Sequence, residues 1–310
     1  MPARHQPVLL EETLERLDAG RGGWFVDCTL GLGGHAEALL DRFPEARLLG
    51  VDRDPRALAL ARERLARFGE RLRTAEGNFC DLSRIWAQHG PPGERPAGIY
   101  ADLGVSSLQL DTPERGFSFQ RDGPLDMRMS AEGVTAAELL ESATEAELEE
   151  IFREFGEEPE ARRVARAVVA ERRLTPIDTT AALASVVRRA KKQRHHGETR
   201  IDPATRVFQA LRVAVNEELA AIEELLDQAV QLLDRDGRLV VISFQSLEDR
   251  IVKNRIRELA RGEVDQTTGR TPSETRLLEV LTKKPLRPTP AEVDTNPRAR
   301  SARLRAARRL

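Results

Sequence analysis

Cysteine is almost missing from this chain. Cys28 and Cys80 are the only two in 310 residues, and a single pair of thiols makes no disulfide framework, so a reducing compartment is the default expectation. Lysine is scarce too: it occurs only at Lys191, Lys192, Lys253, Lys283 and Lys284, so arginine supplies 44 of the 49 cations. That bias fits genomic base composition or heat tolerance and does not decide function. Charge of either sign is not in excess. A net charge of −2 excludes a global pull toward nucleic acid, and any such binding has to come from local patches. The opening MPARHQPVLLEE carries no apolar leader, and no apolar run approaches membrane-spanning length, so a cytoplasmic protein without membrane attachment is expected. No His/Cys spacing suits a structural zinc site, and no metal is expected. There is no G-x-x-x-x-G-K-[ST] phosphate loop, Ser243, Ser246 and Asp249 do not form a hydrolase elbow, and there is no internal repeat.

The informative segment runs from Trp24 to Asp54, WFVDCTLGLGGHAEALLDRFPEARLLGVDRD. A short apolar run, Trp24–Leu30, leads into Gly31, Gly33 and Gly34. Helical spacing follows over Ala36–Phe43, then a second apolar run, Arg47–Val51, ends at Asp52. Strand, glycine turn, helix, strand and acid form the first half of a nucleoside-cofactor site. Glycines allow a tight turn and close backbone approach, a helix start offers unpaired N–H donors, and an acid some 20 positions on accepts hydrogen bonds from a ribose. Two cofactors fit. GLGGHA matches the dinucleotide pattern G-x-G-x-x-A, which allows an NAD-dependent oxidoreductase. S-adenosylmethionine fits as well, and Asp27 leans toward it, because a carboxylate there suits an ammonium and a sulfonium and repels a pyrophosphate. A plain βα turn with Asp52 capping the next helix is the bland alternative.

Further along, Pro55–Phe68 is predicted as a helix and Leu72–Phe79 as a third strand. Pro91–Pro96 reads as a loop, and Gly98–Gly104 as a fourth strand ending in Asp102. Asp52, Asn78 and Asp102 would then line one crevice at the carboxyl ends of a parallel sheet. Ser106–Met129, rich in Gly, Ser, Phe and Arg, has no clean period and is expected to be a long ordered loop. Thr135 to about Ala190 reads as two or three amphipathic helices in an inserted domain, closed by a basic loop, Arg188–Arg200. Pro203–Leu233 reads as one long helix capped by Asp202, Arg238–Phe244 as a strand and Leu247–Ala260 as a helix. Arg276–Leu281 and Arg303–Arg309 read as a closing antiparallel pair. The expected division is 1–112 with 205–310 as one discontinuous domain, and 113–204 as long loop plus helical insertion.

These segments together resemble one family, the bacterial S-adenosylmethionine-dependent methyltransferases that modify the N4 amine of one cytosine in small-subunit ribosomal RNA (the MraW family). The resemblance rests on HQPVLLEE (His5–Glu12), DCTLGLGGH (Asp27–His35), GVDRDP (Gly50–Pro55), GNF (Gly77–Phe79), DLGVSSLQLD (Asp102–Asp111) and RGFSFQRDGPLDMRM (Arg115–Met129). It continues through PATRVFQALRVAVN (Pro203–Asn216), GRLVVISFQSLEDRIVK (Gly237–Lys253) and NPRARSARL (Asn296–Leu304), almost end to end. It implies an α/β fold, the Rossmann-like doubly wound sheet of class I methyltransferases, with an inserted all-helical domain. The implied substrate is the decoding region of 16S ribosomal RNA, within a small subunit or late precursor. By the same resemblance Gly33, Gly34, His35, Asp52, Phe79, Asp102 and Gln109 are cofactor-contacting positions. The chain departs from the family at three places: Gln245 stands where His is usual, Leu108 where Pro is usual, and Asp202 where His is frequent. Gln cannot take up a proton, so a general base is not expected at 245. The Gln245 departure gives some weight to a third reading, a catalytically retired RNA-binding assembly factor, and the intact cofactor-turn residues argue against it.

Methyl transfer from a sulfonium is an in-line displacement with the nucleophile about 3 Å from the methyl carbon. A cytosine amine is a weak nucleophile, because its lone pair is delocalised into the ring. Groups that accept hydrogen bonds from its N–H favour a pyramidal nitrogen. Asp102, Ser106, Ser107 and Gln245 are the candidates for that work. For the RNA, Phe117, Phe119 and Arg121 could stack on a splayed base, with packing onto the sheet as the alternative. Lys191, Lys192 and Arg194 could meet phosphates, with a solvated loop as the alternative.

Overall fold

The computed structural model describes residues 7–130, 132–191, 202–262 and 275–310. They divide into two compact units, Met1–Gly104 with Leu219–Leu310, and Val105–Glu218. The first holds seven strands: β1 (Gly23–Asp27), β2 (Ala46–Asp52), β3 (Leu72–Glu76), β4 (Gly98–Asp102), β5 (Arg238–Ser243), β6 (Leu278–Val280) and β7 (Arg303–Arg309). Their order is β3-β2-β1-β4-β5-β7-β6. The pairs from β3 to β5 are parallel, and β7 runs antiparallel to both β5 and β6. β7 thus lies between β5 and β6, and the closing antiparallel pair forms the edge of the sheet beyond β5.

The strands read as unbroken apolar runs because both faces of the sheet are covered. The side chains still alternate. Trp24, Val26, Ile99, Ala101, Leu239 and Val241 enter one core, shared with α4 (Leu82–His89), α11 (Glu218–Leu232) and α12 (Ser246–Arg261). Phe25, Leu48, Tyr100, Val240 and Ile242 enter the opposite core, under α1 (Leu10–Leu17), α2 (Gly34–Arg42) and α3 (Pro55–Leu65). Strand order reverses between β1 and β4, the place where open α/β sheets bind ligands beyond the carboxyl ends of their strands. Asp27 and Asp102 are the last residues of those two strands.

The second unit is helical: α5 (Ser107–Asp111), α6 (Ala136–Ser142), α7 (Glu145–Glu154), α8 (Ala161–Arg172), α9 (Thr180–Lys191) and α10 (Thr205–Val215). Phe152, Val164, Val168, Leu183, Val187, Val207 and Leu211 share its core. A last short helix, α13 (Pro290–Thr295), belongs to the sheet unit.

Several expectations need correcting. Pro203–Leu233 is two helices, because Glu217 takes a left-handed φ of 49° between them. α10 packs into the helical core, so the unit boundaries fall at 105 and 218 rather than 113 and 204. Asp202 does stop an N–H, accepting from Ala204 at 2.8 Å, but the helix begins only at Thr205. Arg188–Lys191 continues α9 instead of forming a loop; the remainder of that basic stretch lies outside the described residues. The Ser106–Met129 segment contains α5 and a further helical turn at Pro113–Arg115.

Candidate active site

Between β1 and α2 the chain turns through Gly31 and Gly33. Gly33 has φ +76°, and a Cβ there would sit 2.8 Å from Leu65 Cδ1, so both its conformation and its space demand glycine. At Gly34 a Cβ would lie 2.7 Å from Pro7 Cγ, which is how closely the segment before α1 crosses the helix start. The turn is hydrogen-bonded to its neighbours. Leu30 N–H donates to Val51 O at 2.9 Å, and Gly33 N–H donates to Leu30 O at 2.7 Å. Gly31 N–H donates to Asp52 Oδ2 at 2.7 Å, while Asp54 N–H donates to Asp52 Oδ1 at 2.8 Å. The acid at the end of β2 therefore latches the glycine turn, 21 residues away in sequence. The donors of Gly31 and Gly33 are thus used inside the protein and are not presented to a ligand. The backbone N–H groups at the start of α2 have no carbonyl of their own helix to reach. Each carboxylate oxygen of Asp52 still has a lone pair for a diol.

His35, one of the expected cofactor positions, uses its ring inside the protein. Nε2 lies 2.9 Å from Val8 O, and the ring stands edge-on to Tyr100 with centroids 6.1 Å apart. Phe79 follows the Asn78 cap of the turn after β3 and rests half-buried against the core under α4.

A group of carboxyls gathers where strand order reverses. Asp27 is buried, and its Oδ1 accepts from Thr29 N–H at 3.0 Å. Burial pushes its carboxyl up to about 7, opposed by the Thr29 N–H and reinforced by the charge of Asp52. Asp102 is pushed up to about 8, by burial first and then by Asp27 and Glu248. Burial raises Asp52 as well. The backbone N–H of Asp102 donates to Thr29 Oγ1 at 2.7 Å, joining the end of β4 to the glycine turn. Its Oδ1 is buried with no hydrogen-bond partner, and the same holds for Gln245 Oε1. Those two residues leave adjacent strands: Asp102 pairs with Ile242 in β5, and Gln245 lies just beyond the end of β5. Beneath Gln245, Glu248 is buried and accepts from the N–H groups of Phe244 at 2.8 Å and Gln245 at 3.1 Å.

Crowded carboxyls and two orphan acceptors need donors or a cation to complete them. Among the described residues no group of His, Cys, Asp and Glu is arranged to hold a metal ion. A ligand carrying positive charge and N–H donors fits these residues. A pyrophosphate does not.

The sequence profile described as the MraW methylase family matches residues 2–310. The chain belongs to that family. Three relatives are each called ribosomal RNA small subunit methyltransferase H. The one from Trichlorobacter lovleyi is 49% identical over 99% of this chain and 98% of its own length. That from Geobacter sulfurreducens is 48% identical over the whole of both chains, and that from Granulibacter bethesdensis 46% identical over 97% and 90%.

In this MraW methylase the remaining expected residues stand elsewhere. Ser106 caps α5: its Oγ accepts from Gln109 N–H at 3.3 Å, and Gln109 Oε1 accepts from Ser106 N–H at 3.0 Å. The side chain of Ser107 lies outside the described set, as do Lys192 and Arg194 altogether. Phe117 is buried in the helical core, and Phe119 packs edge-on to Phe208 at 4.7 Å, so both pack against helices rather than onto the sheet. Arg121 donates to Asp111 O at 2.5 Å, fastening its own loop. Lys191 is no surface cation: Nζ lies 2.7 Å from the fully buried Glu158 and 3.1 Å from Pro203 O. Two contributors escaped sequence reasoning, Thr29 and Glu248. Glu248 had a readable signal, because it stands three residues after Gln245 in the spacing of a capping box. Thr29 had none.

Proposed function

We propose that this methylase transfers the methyl group of S-adenosylmethionine to the N4 amine of a cytosine in small-subunit ribosomal RNA, in the cytoplasm, with the RNA held in a small subunit or late precursor. The observation that carries the reading is the buried, unpartnered Oδ1 of Asp102 among like-charged neighbours. It favours a cationic cofactor over a dinucleotide. Family membership and the shared name of the relatives support RNA as substrate.

When bound, the cofactor supplies a methyl group on a positively charged sulfur. Asp27 and its neighbours provide the negative potential that holds such a cation. Asp52 accepts hydrogen bonds from the ribose. Asp102 and Gln245 accept from the cytosine amine, localising the nitrogen lone pair for attack. Asp102, whose proton affinity burial has raised, takes up the proton that N4 sheds once it carries the methyl group. Gln245 orients without titrating. The helical unit serves RNA recognition.

Mass mapping of small-subunit RNA from cells with and without the protein tests this. A methyl group that disappears from one cytosine is the expected result, and an unchanged map overturns the reading. Calorimetry with S-adenosylmethionine against NAD tests the cofactor independently.

A further inference from the structure

The sheet unit holds a second feature. A cavity of about 400 Å³ opens between α12 and the β6–β7 end of the sheet. Its wall carries Lys253 and Arg257 from α12, Lys283 just beyond β6, and Arg305 from β7, over a floor that includes Ile256 and Thr282. Asp249, Lys253 and Arg257 follow one another at four-residue steps, so they share a face of the helix. Arg305 is buried and held by Asp249 through contacts of 2.6 and 3.1 Å. That pair neutralises one cation. Lys253, Arg257 and Lys283 have no hydrogen bond or ion pair to any described residue. Three unpaired cations around one concavity repel each other unless an anion joins them.

We infer that this cavity binds phosphate groups of the RNA strand whose base is being methylated. The inference rests on the RNA reading above. Position ties the two together. α12 begins directly after Gln245, and Lys253 lies about 12 Å along the helix from it at 1.5 Å per residue. Arg303 and Arg305 pair with Ser243 and Val241 on β5, the strand that leads to Gln245. A base presented at the ends of β4 and β5 therefore trails its backbone within reach of these cations. Phosphate contacts of this kind set register and carry no sequence information.

The test uses the full chain with Lys253→Gln, Arg257→Gln and Lys283→Gln, singly and combined. Lys284→Gln is the matched control, since Lys284 does not line the cavity. Binding of a single-stranded RNA oligonucleotide is followed across a salt series, beside poly-glutamate of equal charge. For three phosphate contacts the slope of log affinity against log salt should fall by about 2 in the triple variant, at roughly 0.7 per contact. Adenosylmethionine affinity, retained in every variant, shows that the fold and cofactor site persist. An unchanged slope in the triple variant overturns the inference, as does an equal loss in the control or a loss confined to poly-glutamate. Failure of the RNA reading looks different: the unaltered protein would then neither bind the oligonucleotide nor methylate RNA.

Discussion

The segment from Ser106 to Met129 and the carboxyl edge of the sheet are both dense in polar side chains, and they dispose of them in opposite ways. In the segment, polar groups are consumed locally. Arg115 donates to the carbonyls of Arg128 and Met129, Asp126 takes the Arg128 guanidinium at 2.8 Å, and Asn216 closes the loop through Met127 O at 2.7 Å and Met129 N–H at 2.8 Å. Gly116 and Gly123 are so close to facing backbone that a Cβ at either would collide with it. At the sheet edge, acceptors are left open. Among the described residues, every buried side-chain polar atom without a partner lies in the sheet unit, Asp102 Oδ1 and Gln245 Oε1 among them. Compositional oddity alone does not separate the two regions. Unmet acceptor capacity does: among the described residues the buried side-chain carbonyl and carboxylate oxygens without a partner are Asp102 Oδ1 and Gln245 Oε1, both at this edge.

The comparison predicts where substitutions act. The largest effect belongs to Asp102→Ala, which should cut methyl incorporation into RNA by about a thousandfold or more, roughly 4 kcal/mol, with the circular-dichroism melt preserved. Near-normal turnover would remove Asp102 from the chemistry. In the helical unit, Lys191→Met should lower stability by about 3–5 kcal/mol, because it strands the buried Glu158. Denaturant unfolding measures this, and the salt dependence of RNA binding should not move. Asp52→Ala loses a charged acceptor for the ribose and the latch on Gly31. Calorimetry should show cofactor affinity lower by about 1.5–3 kcal/mol.

The same carboxyls make stability depend on pH. Asp27 and Asp102 have folded values of about 7 and about 8 against 3.8 for the free carboxyl. Each therefore holds its proton longer when folded. The stability associated with these carboxyls is fully present below 3.8 and is lost as pH rises through about 7 and about 8. Melting of the ligand-free protein between pH 5 and pH 8 should show that decline, at most about 1.4 kcal/mol per group per pH unit. Asp102→Asn should flatten it and raise the melting temperature at pH 8. Cofactor affinity should move the other way, rising with pH as the carboxyls ionise toward a cation. An affinity indifferent to pH would separate these acids from the cofactor.

Much of the sheet was legible because its signals are local. Each strand is a short apolar run, Gly33 sits where the chain must turn left-handed, and Asp27, Asp52 and Asp102 fall at strand ends that any parallel sheet brings to one edge. Lys191 and Phe117 were misleading for the opposite reason. A lysine in a basic stretch and phenylalanines in a polar loop look like RNA contacts until their distant partners, Glu158 and the helical core, are known. The break at Glu217 was also hidden, since helical periodicity runs through it on both sides.

By itself the sequence determined the βα unit, its acids, the interruption of the sheet by helices, and membership of a family. Periodicity and turn chemistry act over a few residues, and long motifs need no coordinates. Only the tertiary structure decided that Asp52 holds Gly31, that Thr29 holds Asp102, and that Asp102 and Gln245 keep acceptors open while Ser106 and Gln109 satisfy each other. Whether a polar group is spent or open depends on which distant residues the fold delivers to it, and a chain written in one dimension does not hold that distance.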